Sequence, residues 1–445
     1  MQILIKQSSP WKKSFLSDQK RRTGPLCLAA FLLLAANANC KTNVPVIRPT
    51  IHKVGNNADS GEGSLRNVIN NANRSPGADI INFDLPKGAT RIKLQTPLPP
   101  IRNGITINGF NKSGERVELD GLDAGSEANG LKIIGIRNTV QGLAIHSFQG
   151  NGIMISKEPG SAGNAVLPAM TPEEKKRLTL GRFIAENQVV DNFIGTNASG
   201  TERMSNGKDG VFVDINSVNV LIQRNRIAYN NGNGVSLSKG PNPPFGIRIS
   251  NNLIALNGGI SIDLGNDGNT PNGQHAGDRN GPNHWQPYPF LKLAKRRQAA
   301  PNLRGAGFLP DDPAATLSVT INISFPPKLD PKANYTIEFF SCSCDSTCPS
   351  CTDFCLMCGP ACRNCSDSEV CPAAICQPDL GTNSLLCMPS QIPLKPIVVT
   401  SNSNGTIDPF DHVLTLPAGF KGIIYATASR ENADTSEKSN CVAVR

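Results

Sequence analysis

A repeat between about residues 131 and 264 constrains the fold of this chain more than any other feature. Each copy is a turn of Asn, Asp or Gly followed by alternating apolar residues, and the copies align at 151–155, 209–213, 233–237 and 258–262. Val211 and Val235 are 24 residues apart, and Val235 and Ile260 are 25 apart. A period of this length is typical of a solenoid, in which each unit adds one layer to a continuous core.

A second column pairs an aliphatic residue with an asparagine three positions later. It is found at Ile184–Asn187, Ile222–Asn225 and Ile249–Asn252, with Val189, Ile227 or Ile254 following, and Gly142 takes the Asn place after Val140. Asn and Gly tolerate left-handed turns, and stacked asparagines can hydrogen-bond along an axis. The alternating segments predict short strands. Together they predict an all-β right-handed parallel β-helix, with a β-sandwich of chance regularity as the alternative.

The flanking regions complete the predicted domain organisation. Before the repeat, Leu65, Val68, Ile69 and Ala72 share one face of a helix, and short strands follow at 80–83, 91–94 and 105–107. This segment is predicted to cap the first coil, within a β-helix domain at 39–291. A Pro- and Gly-rich linker, 292–316, precedes strand-like runs at 317–321, 334–340, 396–399 and 422–428. These predict a small β-sandwich domain, 317–445.

The first 38 residues are typical of a signal peptide. Basic residues end at Arg22, an apolar stretch runs from Leu26 to Ala36, and Ala36–Ala38 offers a small-x-small cleavage site. A membrane anchor is the alternative, but eleven apolar residues are too few to span. We therefore expect a secreted or cell-surface protein, the periplasm and outer membrane included. Lipidation of Cys40 is a further hypothesis.

Cysteine usage agrees with export. Twelve of the 14 cysteines form an even set compatible with six disulfides in an oxidising compartment. The insertion 342–387 holds all but one of them, and its CxxC pairs leave a metal site as the alternative. The disulfide candidates are Cys342, Cys344, Cys348, Cys351, Cys355, Cys358, Cys362, Cys365, Cys371, Cys376, Cys387 and Cys441.

The charge of the chain argues against nucleic-acid binding. The net charge is +9, but six basic residues and one acidic residue lie in the first 38. The remainder is close to neutral and has no global field to hold a phosphate backbone. No run of 18 apolar residues occurs, which excludes a polytopic membrane protein.

Four short motifs carry a resemblance to a known family. The residues are Asp59–Ile69 (DSGEGSLRNVI), Val117–Gly121 (VELDG), Asn192–Asn197 (NFIGTN) and Ile262–Gly268 (IDLGNDG), together with the ending from Ala426 through Thr435-Ser436-Glu437 to Cys441. The chain resembles bacterial secreted right-handed β-helix proteins with a CSLREA-type N-terminal motif, over about 55–445 except the cysteine block. The resemblance implies a pectin-lyase-like fold, which hosts lyases, hydrolases, adhesins and passive scaffolds.

Catalytic strings of pectate lyases and polygalacturonases are missing from the sequence. Arg91-Ile92-Lys93 is similar to a polygalacturonase tripeptide, but the elements that should precede it are absent. If the repeats register as aligned, Asp214 and Asp263 face outward about 10 Å apart, a loose spacing for an inverting glycosidase. Arg226 and Arg248 could then flank them and bind an anionic sugar. Solvated surface residues are the alternative interpretation.

Other features near the last coil have two interpretations each. Asp263, Asp267 and Asp278 form an oxygen-rich loop that calcium, the one candidate cofactor, could use. Asn, Asp and Gly are equally expected at turns. The aromatic cluster Trp285–Phe290 is predicted to plug the open coil rather than to stack on sugar.

Two functional hypotheses follow from these residues. The first is a non-catalytic β-helix protein that binds extracellular polysaccharide or a cell-surface protein. The second is a polysaccharide lyase or glycoside hydrolase that acts on acidic glycans along the outward groove, with Asp214 and Asp263 as catalytic residues. The missing catalytic strings favour the first.

Overall fold

The computed structural model describes residues 49–102, 104–156, 187–272, 274–275, 278–298, 316–343, 391–417, 420, 422–431, 434–439 and 442–444. The described residues belong to one compact unit. The predicted signal peptide, Cys40, nearly all of the cysteine block and Cys441 lie outside the described residues. Among the helices of the described ranges, none has both the length and the apolar character that crossing a membrane requires.

Three parallel sheets dominate the described chain. Sheet A contains β1 (Thr50–Val54), β2 (Asp79–Phe83), β4 (Ile105–Asn111), β7 (Asn138–Gln141), β10 (Asn187–Val190), β13 (Val220–Gln223) and β16 (Arg248–Ser250). Sheet B contains β3 (Arg91–Lys93), β5 (Glu118–Asp120), β8 (Ala144–His146), β11 (Phe193–Ile194), β14 (Arg226–Ala228) and β17 (Leu253–Ala255). Sheet C contains β6 (Leu131–Ile133), β9 (Ile153–Ile155), β12 (Val211–Val213), β15 (Val235–Ser238) and β18 (Ile262–Gly265). These all-β parallel sheets are consistent with the predicted parallel β-helix.

One strand from each sheet makes one coil, as β13, β14 and β15 do. Their alternating residues Ile222, Ile227, Val235 and Leu237 are fully buried. They belong to a single apolar cluster that runs from Val54 to Leu264. The period-2 pattern of the sequence therefore fills the interior, and the intervening residues point outward.

Two ladders of buried asparagines fix the coils in register, of which the sequence predicted one. In the first, Asn192, Asn225 and Asn252 link sheets A and B: the Oδ1 of Asn225 accepts from the backbone N and Nδ2 of Asn192, at 2.9 and 3.1 Å. Asn252 repeats this with Asn225 at 2.9 and 3.0 Å. The second ladder is Asn206, Asn230 and Asn257. Each side chain satisfies backbone groups that would otherwise be buried without partners.

The predicted alignment of the last repeat is wrong by two residues. Val235 pairs with Ile262 rather than with Ile260, so the last coil is 27 residues long. The asparagine columns, at Asn225 to Asn252 and Asn230 to Asn257, have the same spacing of 27. The extra residues of this coil lie between β15 and β16. The prediction matched Gly258-Gly259 with the turn before β15, and this match placed the following strand two residues too early.

The second predicted column also needs correction in its earlier copies. Val189 pairs with Ile222 on one side and with Val140 on the other, so Asn192, not Asn187, is the counterpart of Asn225. Leu143 occupies that place one coil earlier, where its backbone N donates to Asn192 Oδ1. The next aliphatic position is Ile194 rather than Val189.

The helix predicted near the start of the chain is confirmed. It is α1 (Leu65–Arg74), and it buries the four residues predicted to share a face. The hydroxyl of Ser64 accepts from the backbone N of Asn67 and caps the first turn. Its buried residues join the same apolar cluster as the coils.

Antiparallel strands follow the parallel sheets. One sheet contains β19 (Phe290–Gln298), β20 (Thr316–Ser324) and β24 (Phe410–Pro417); the other contains β21 (Asn334–Ser343), β22 (Gln391–Pro393), β23 (Ile397–Thr400), β25 (Gly422–Arg430) and β26 (Val442–Val444). Residues 292–298, assigned to the linker from sequence, are therefore strand. A single 3₁₀ turn, Pro282–Trp285, precedes these strands. Their buried residues form a second apolar cluster.

Candidate functional site

The four residues predicted to line one outward groove lie on three different sheets. Asp214 directly follows β12 and Asp263 belongs to β18, both in sheet C, whereas Arg226 lies in sheet B and Arg248 in sheet A. Because the three sheets form different sides of each coil, the prediction that both arginines flank both aspartates is wrong.

The predicted stacking of Asp214 over Asp263 is also wrong. Asp263 pairs with Ser236, whereas Asp214 follows Val213 and so shares a row with Ser238. Two coils and two residues along the strand separate the aspartates, which corresponds to about 12 Å between their Cα atoms. Asp214 Oδ1 accepts from the backbone N of Ile215 at 2.8 Å.

Asp263 is buried and its carboxylate is engaged by its surroundings. Oδ2 accepts from Asn233 Nδ2 at 2.9 Å and from the backbone N of Gly268 at 3.0 Å. Oδ1 accepts from the backbone N of Asp267 at 3.3 Å. Burial raises the pKa of Asp263 above its usual value. The residue therefore holds the turn after β18 in place.

The three predicted calcium ligands are not brought together as a metal centre. Asp267 forms an ion pair with Lys239 at 2.6 Å, and Asp278 Oδ1 accepts from the backbone N of Asn280 at 2.8 Å. In the ranges that the structure describes, no group of three His, Cys, Asp or Glu side chains is placed to hold a metal ion. The hydrogen bonds of Asp263 and Asp278 to nearby backbone N–H groups are those of turn residues, which was the alternative interpretation of this loop.

Arg248 lies against the antiparallel strands. Glu338 of β21 attracts its guanidinium, and burial lowers the pKa of Arg248 and raises the pKa of Glu338. Glu338 Oε2 also accepts from the backbone N of Asn251 at 3.1 Å. Arg248 therefore takes part in an internal contact rather than lining an open groove.

Residues 434–437, called here the C-terminal segment, occupy the open edge of the last coil. Edge strands leave backbone N–H groups without strand partners, and a buried one must find another acceptor. Side chains of Asp434, Thr435 and Glu437 supply these acceptors. They bind the backbone N of Gly246 (2.7 Å), Ile249 (3.0 Å), Leu264 (3.0 Å) and Thr270 (2.9 Å).

Glu437 is unusual within this segment because it is 2% exposed and has no cationic partner among the described residues. Burial raises its pKa to about 8, and Asp263 adds to the rise. Both of its oxygens accept backbone N–H groups, from Leu264 and Thr270. Glu437 therefore holds the backbone at the edge of the last coil in place.

A small half-open cleft lies beside the C-terminal segment. Its walls come from three distant parts of the chain, near residues 264–288, 326–335 and 430–437. The cleft is lined by the side chains of His275, Asp278, Trp285, Asp330 and Asp434, among others.

One wall of the cleft is aromatic. The imidazole of His275 stacks on the indole of Trp285, with centroids 4.0 Å apart and planes 13° apart. Trp285 also packs against the apolar cluster of the coils, as its predicted role as a plug requires. Tyr288 lies further along the same wall. The ring stack thus joins the end of the core to a surface that a ligand can reach.

The charged groups of the cleft are paired with one another. Asp330 forms ion pairs with Arg279 and Arg430, and Asp434 lies 2.8 Å from His284 Nδ1 and 3.3 Å from Arg430 Nη2. The cleft consequently has no excess of positive charge to attract an anion. Aromatic faces with a few polar groups are typical of sites for neutral, hydroxyl-rich ligands.

A second cluster of polar side chains lies on the outer face of sheet B. Arg91 donates from Nε and Nη2 to Asp120 Oδ2, at 3.1 and 2.9 Å. The buried His146 lies 3.4 Å from Glu118 Oε2 and 3.0 Å from Ser147 Oγ. The His146 contact lowers the pKa of Glu118. Every charge in this cluster has an opposite partner.

Sequence reasoning missed the cleft and this cluster for the same reason. Asp330, Arg430 and Asp434 are separated by up to about 160 residues from the aromatic wall, so no local spacing joins them. The family-like ending that contains Thr435 and Glu437 was the one signal that these residues matter. The register of sheet B was needed to place His146 beside Asp120.

Comparisons with known proteins assign no family to this chain. No protein-family model matches it, and no curated protein matches it. Among solved structures it is similar to the enzymatically active domain of tailspike protein 4 of bacteriophage CBA120, at 11% identity and a TM-score of 0.15. The alignment covers 87% of this chain and 48% of that one, so the chain spans about half the length of that domain. The fold assignment rests on the sheet topology.

Proposed function

We propose that this protein is a non-catalytic binding protein for extracellular carbohydrate and that the cleft beside the last coil holds the sugar. The observation that carries the proposal is the stacked pair of His275 and Trp285 on the cleft wall. Sugar rings present C–H faces to aromatic walls and hydroxyls to carboxylates and amides. Because the arginines of the cleft are paired, a neutral saccharide suits it better than an acidic one.

The proposal includes a finer architecture and a cellular location. We take the solenoid as right-handed, α1 as the cap of its first coil, and the antiparallel strands as a β-sandwich that carries the cysteine-rich insertion with its disulfides. The apolar face of α1 and the separate core of the antiparallel strands support this organisation. A signal peptide and disulfides fit a secreted or cell-surface protein, whose partner is a polysaccharide or a surface protein.

Retention on insoluble glycans tests the proposal. We expect the purified chain to be retained by at least one neutral polysaccharide, and His275→Ala to weaken retention about tenfold. Asp278→Asn, which removes a charge at the exposed rim, should weaken it far less. If no neutral glycan retains the protein, or if His275→Ala binds as well as the natural chain, the proposal is wrong.

The alternative, a polysaccharide lyase or glycoside hydrolase, is tested in the same tubes. It requires release of reducing ends or unsaturated uronates from an acidic glycan, with loss of activity in Asp214→Ala or Asp263→Ala. Product release of this kind would replace the binding proposal with the enzymatic one.

A further inference from the structure

Arg226 is a half-buried cation without a counter-charge. It lies in β14 on the outer face of sheet B, and its Nε is buried and makes no hydrogen bond to any described residue. No carboxylate lies within 4 Å of its guanidinium in the described ranges. Burial lowers the pKa of Arg226, and the phenol of Tyr229 opposes this shift.

The surroundings of Arg226 are aromatic and basic rather than acidic. Its neighbour across the sheet is Phe193, whose ring centroid lies 6.0 Å from the guanidinium carbon. On the same ring lies Arg116, with its guanidinium carbon 3.9 Å from the centroid. Arg203 forms a β-bridge with Thr196, two residues after Ile194 of β11, and it lowers the pKa of Tyr229 as Arg226 does. Three arginines thus surround two aromatic side chains.

Gly200 explains why Arg226 is covered along its stem. A Cβ at this position would lie 3.1 Å from Arg226 Cδ, 3.3 Å from its Nε and 3.0 Å from Phe193. Gly200 also has a φ of +72°, which favours glycine. The turn at 197–200 therefore packs against the aliphatic part of the Arg226 side chain and restricts the position of the guanidinium.

A half-buried guanidinium whose Nε is buried without a hydrogen bond costs stability, so its retention calls for an explanation. Arginine presents a planar fork that matches carboxylates and sulfates, and such pairs are strengthened by partial burial. Aromatic rings beside the fork provide an apolar surface for the rest of the ligand.

We propose that Arg226, with Arg203, Tyr229 and the Phe193–Arg116 stack, forms a site for an oxyanion borne on a saccharide, a uronate carboxylate or a sulfate ester. This site is separate from the cleft. It rests on the proposed function only for the saccharide nature of the ligand, because its residues and its charge preference differ from those of the cleft.

Calorimetry with short oligosaccharides tests the site. The probes are trigalacturonate, its methyl ester and a sulfated heparin tetrasaccharide. We expect at least one of the two anionic probes to bind and the ester not to bind, and which of them binds identifies the oxyanion. Arg226→Gln should lower the affinity at least tenfold, about 1.4 kcal/mol. Arg226→Lys, which keeps the charge but removes the fork, should fall in between.

Arg91→Gln is the matched control, because Arg91 occupies the same row of sheet B but is paired with Asp120. Its affinity should equal that of the natural chain, and melting curves confirm that each variant is folded. The proposal is overturned if neither anionic probe binds, if the ester binds as well, or if Arg226→Gln has no effect. If no neutral glycan retains the protein but an anionic probe still binds, the saccharide site in the cleft is rejected and the Arg226 site is supported.

Discussion

Two arginines on the outer face of sheet B occupy equivalent positions and have opposite surroundings. Arg91 in β3 and Arg226 in β14 belong to one row that also contains Glu118, Ala144 and Phe193. Arg91 has Asp120 at 2.9 Å and Glu118 at 3.9 Å. Arg226 has the ring of Phe193 and two further arginines nearby.

The difference shows how a repetitive fold separates structural charges from those free to bind a ligand. The backbone is the same at both positions, so the neighbours in the row decide what each guanidinium does. A carboxylate one coil away makes Arg91 part of the scaffold. Apolar neighbours on both sides of the row, Phe193 and Leu253, leave Arg226 without a partner and available to an anion.

The comparison of Arg91 with Arg226 depends on the register of the coils, and Asn225→Ala should disturb that register more than any other change considered. Asn225 directly precedes Arg226 and hydrogen-bonds to Asn192, Asn252 and Val189 O. Its loss leaves several buried groups without partners, and we expect the free energy of unfolding to fall by about 2–4 kcal/mol. Denaturant unfolding measures it. Asn231→Ala, at an exposed turn position, should change the free energy by less than about 0.5 kcal/mol.

Glu437 extends the comparison to a carboxyl group. It is buried without a cationic partner among the described residues, whereas Arg226 is a cation without a carboxylate partner. The folded-state pKa of Glu437, about 8, lies above the unfolded value, so the folded state binds the extra proton. Stability from this group is full below pH 4.5 and is lost as pH rises towards 8, by at most about 1.4 kcal/mol per pH unit. Unfolding at several pH values should show this fall.

Glu437→Gln is the control for that pH dependence. The slope should become shallower but not vanish, because burial also raises the pKa values of Asp209, Asp263 and Glu338. An unchanged slope would show that Glu437 is ionised in the folded protein.

Arg91→Met tests the structural member of the pair. It leaves Asp120, which is 4% exposed, without its main partner. Because the Arg91 side chain is itself 42% exposed, we expect a loss of only about 1–2 kcal/mol in unfolding free energy. A neutral effect in denaturant unfolding would remove Arg91 from the scaffold.

Arg226→Met tests the other member and has the smallest expected effect, of opposite sign. Removing a half-buried charge without a partner should raise the unfolding free energy by about 0.5–1 kcal/mol. A loss of stability would mean that the guanidinium is structural, and it would argue against a ligand site.

The period-2 alternation and the asparagine columns sufficed to predict the parallel sheets, because both reflect local backbone needs. The alignment of Ile260 with Val235 failed because glycines at turns match each other wherever a turn occurs, whereas the spacing of Asn225 and Asn252 was informative. The strand β24 (Phe410–Pro417) alternates in the same way and was missed. Arg226 was predicted to bind an anion, but its neighbours, Arg203 and Phe193, required the register of sheet B.

Melting temperature with and without the anionic oligosaccharide tests the central claim, that Arg226 is held for a ligand and Arg91 for the scaffold. Without ligand, Arg226→Met should melt above the natural chain and Arg91→Met below it. Ligand should raise the melting temperature of the natural chain and of Arg91→Met but leave Arg226→Met unchanged. Equal ligand-induced shifts of the melting temperature in all three proteins would show that Arg226 does not bind the oligosaccharide.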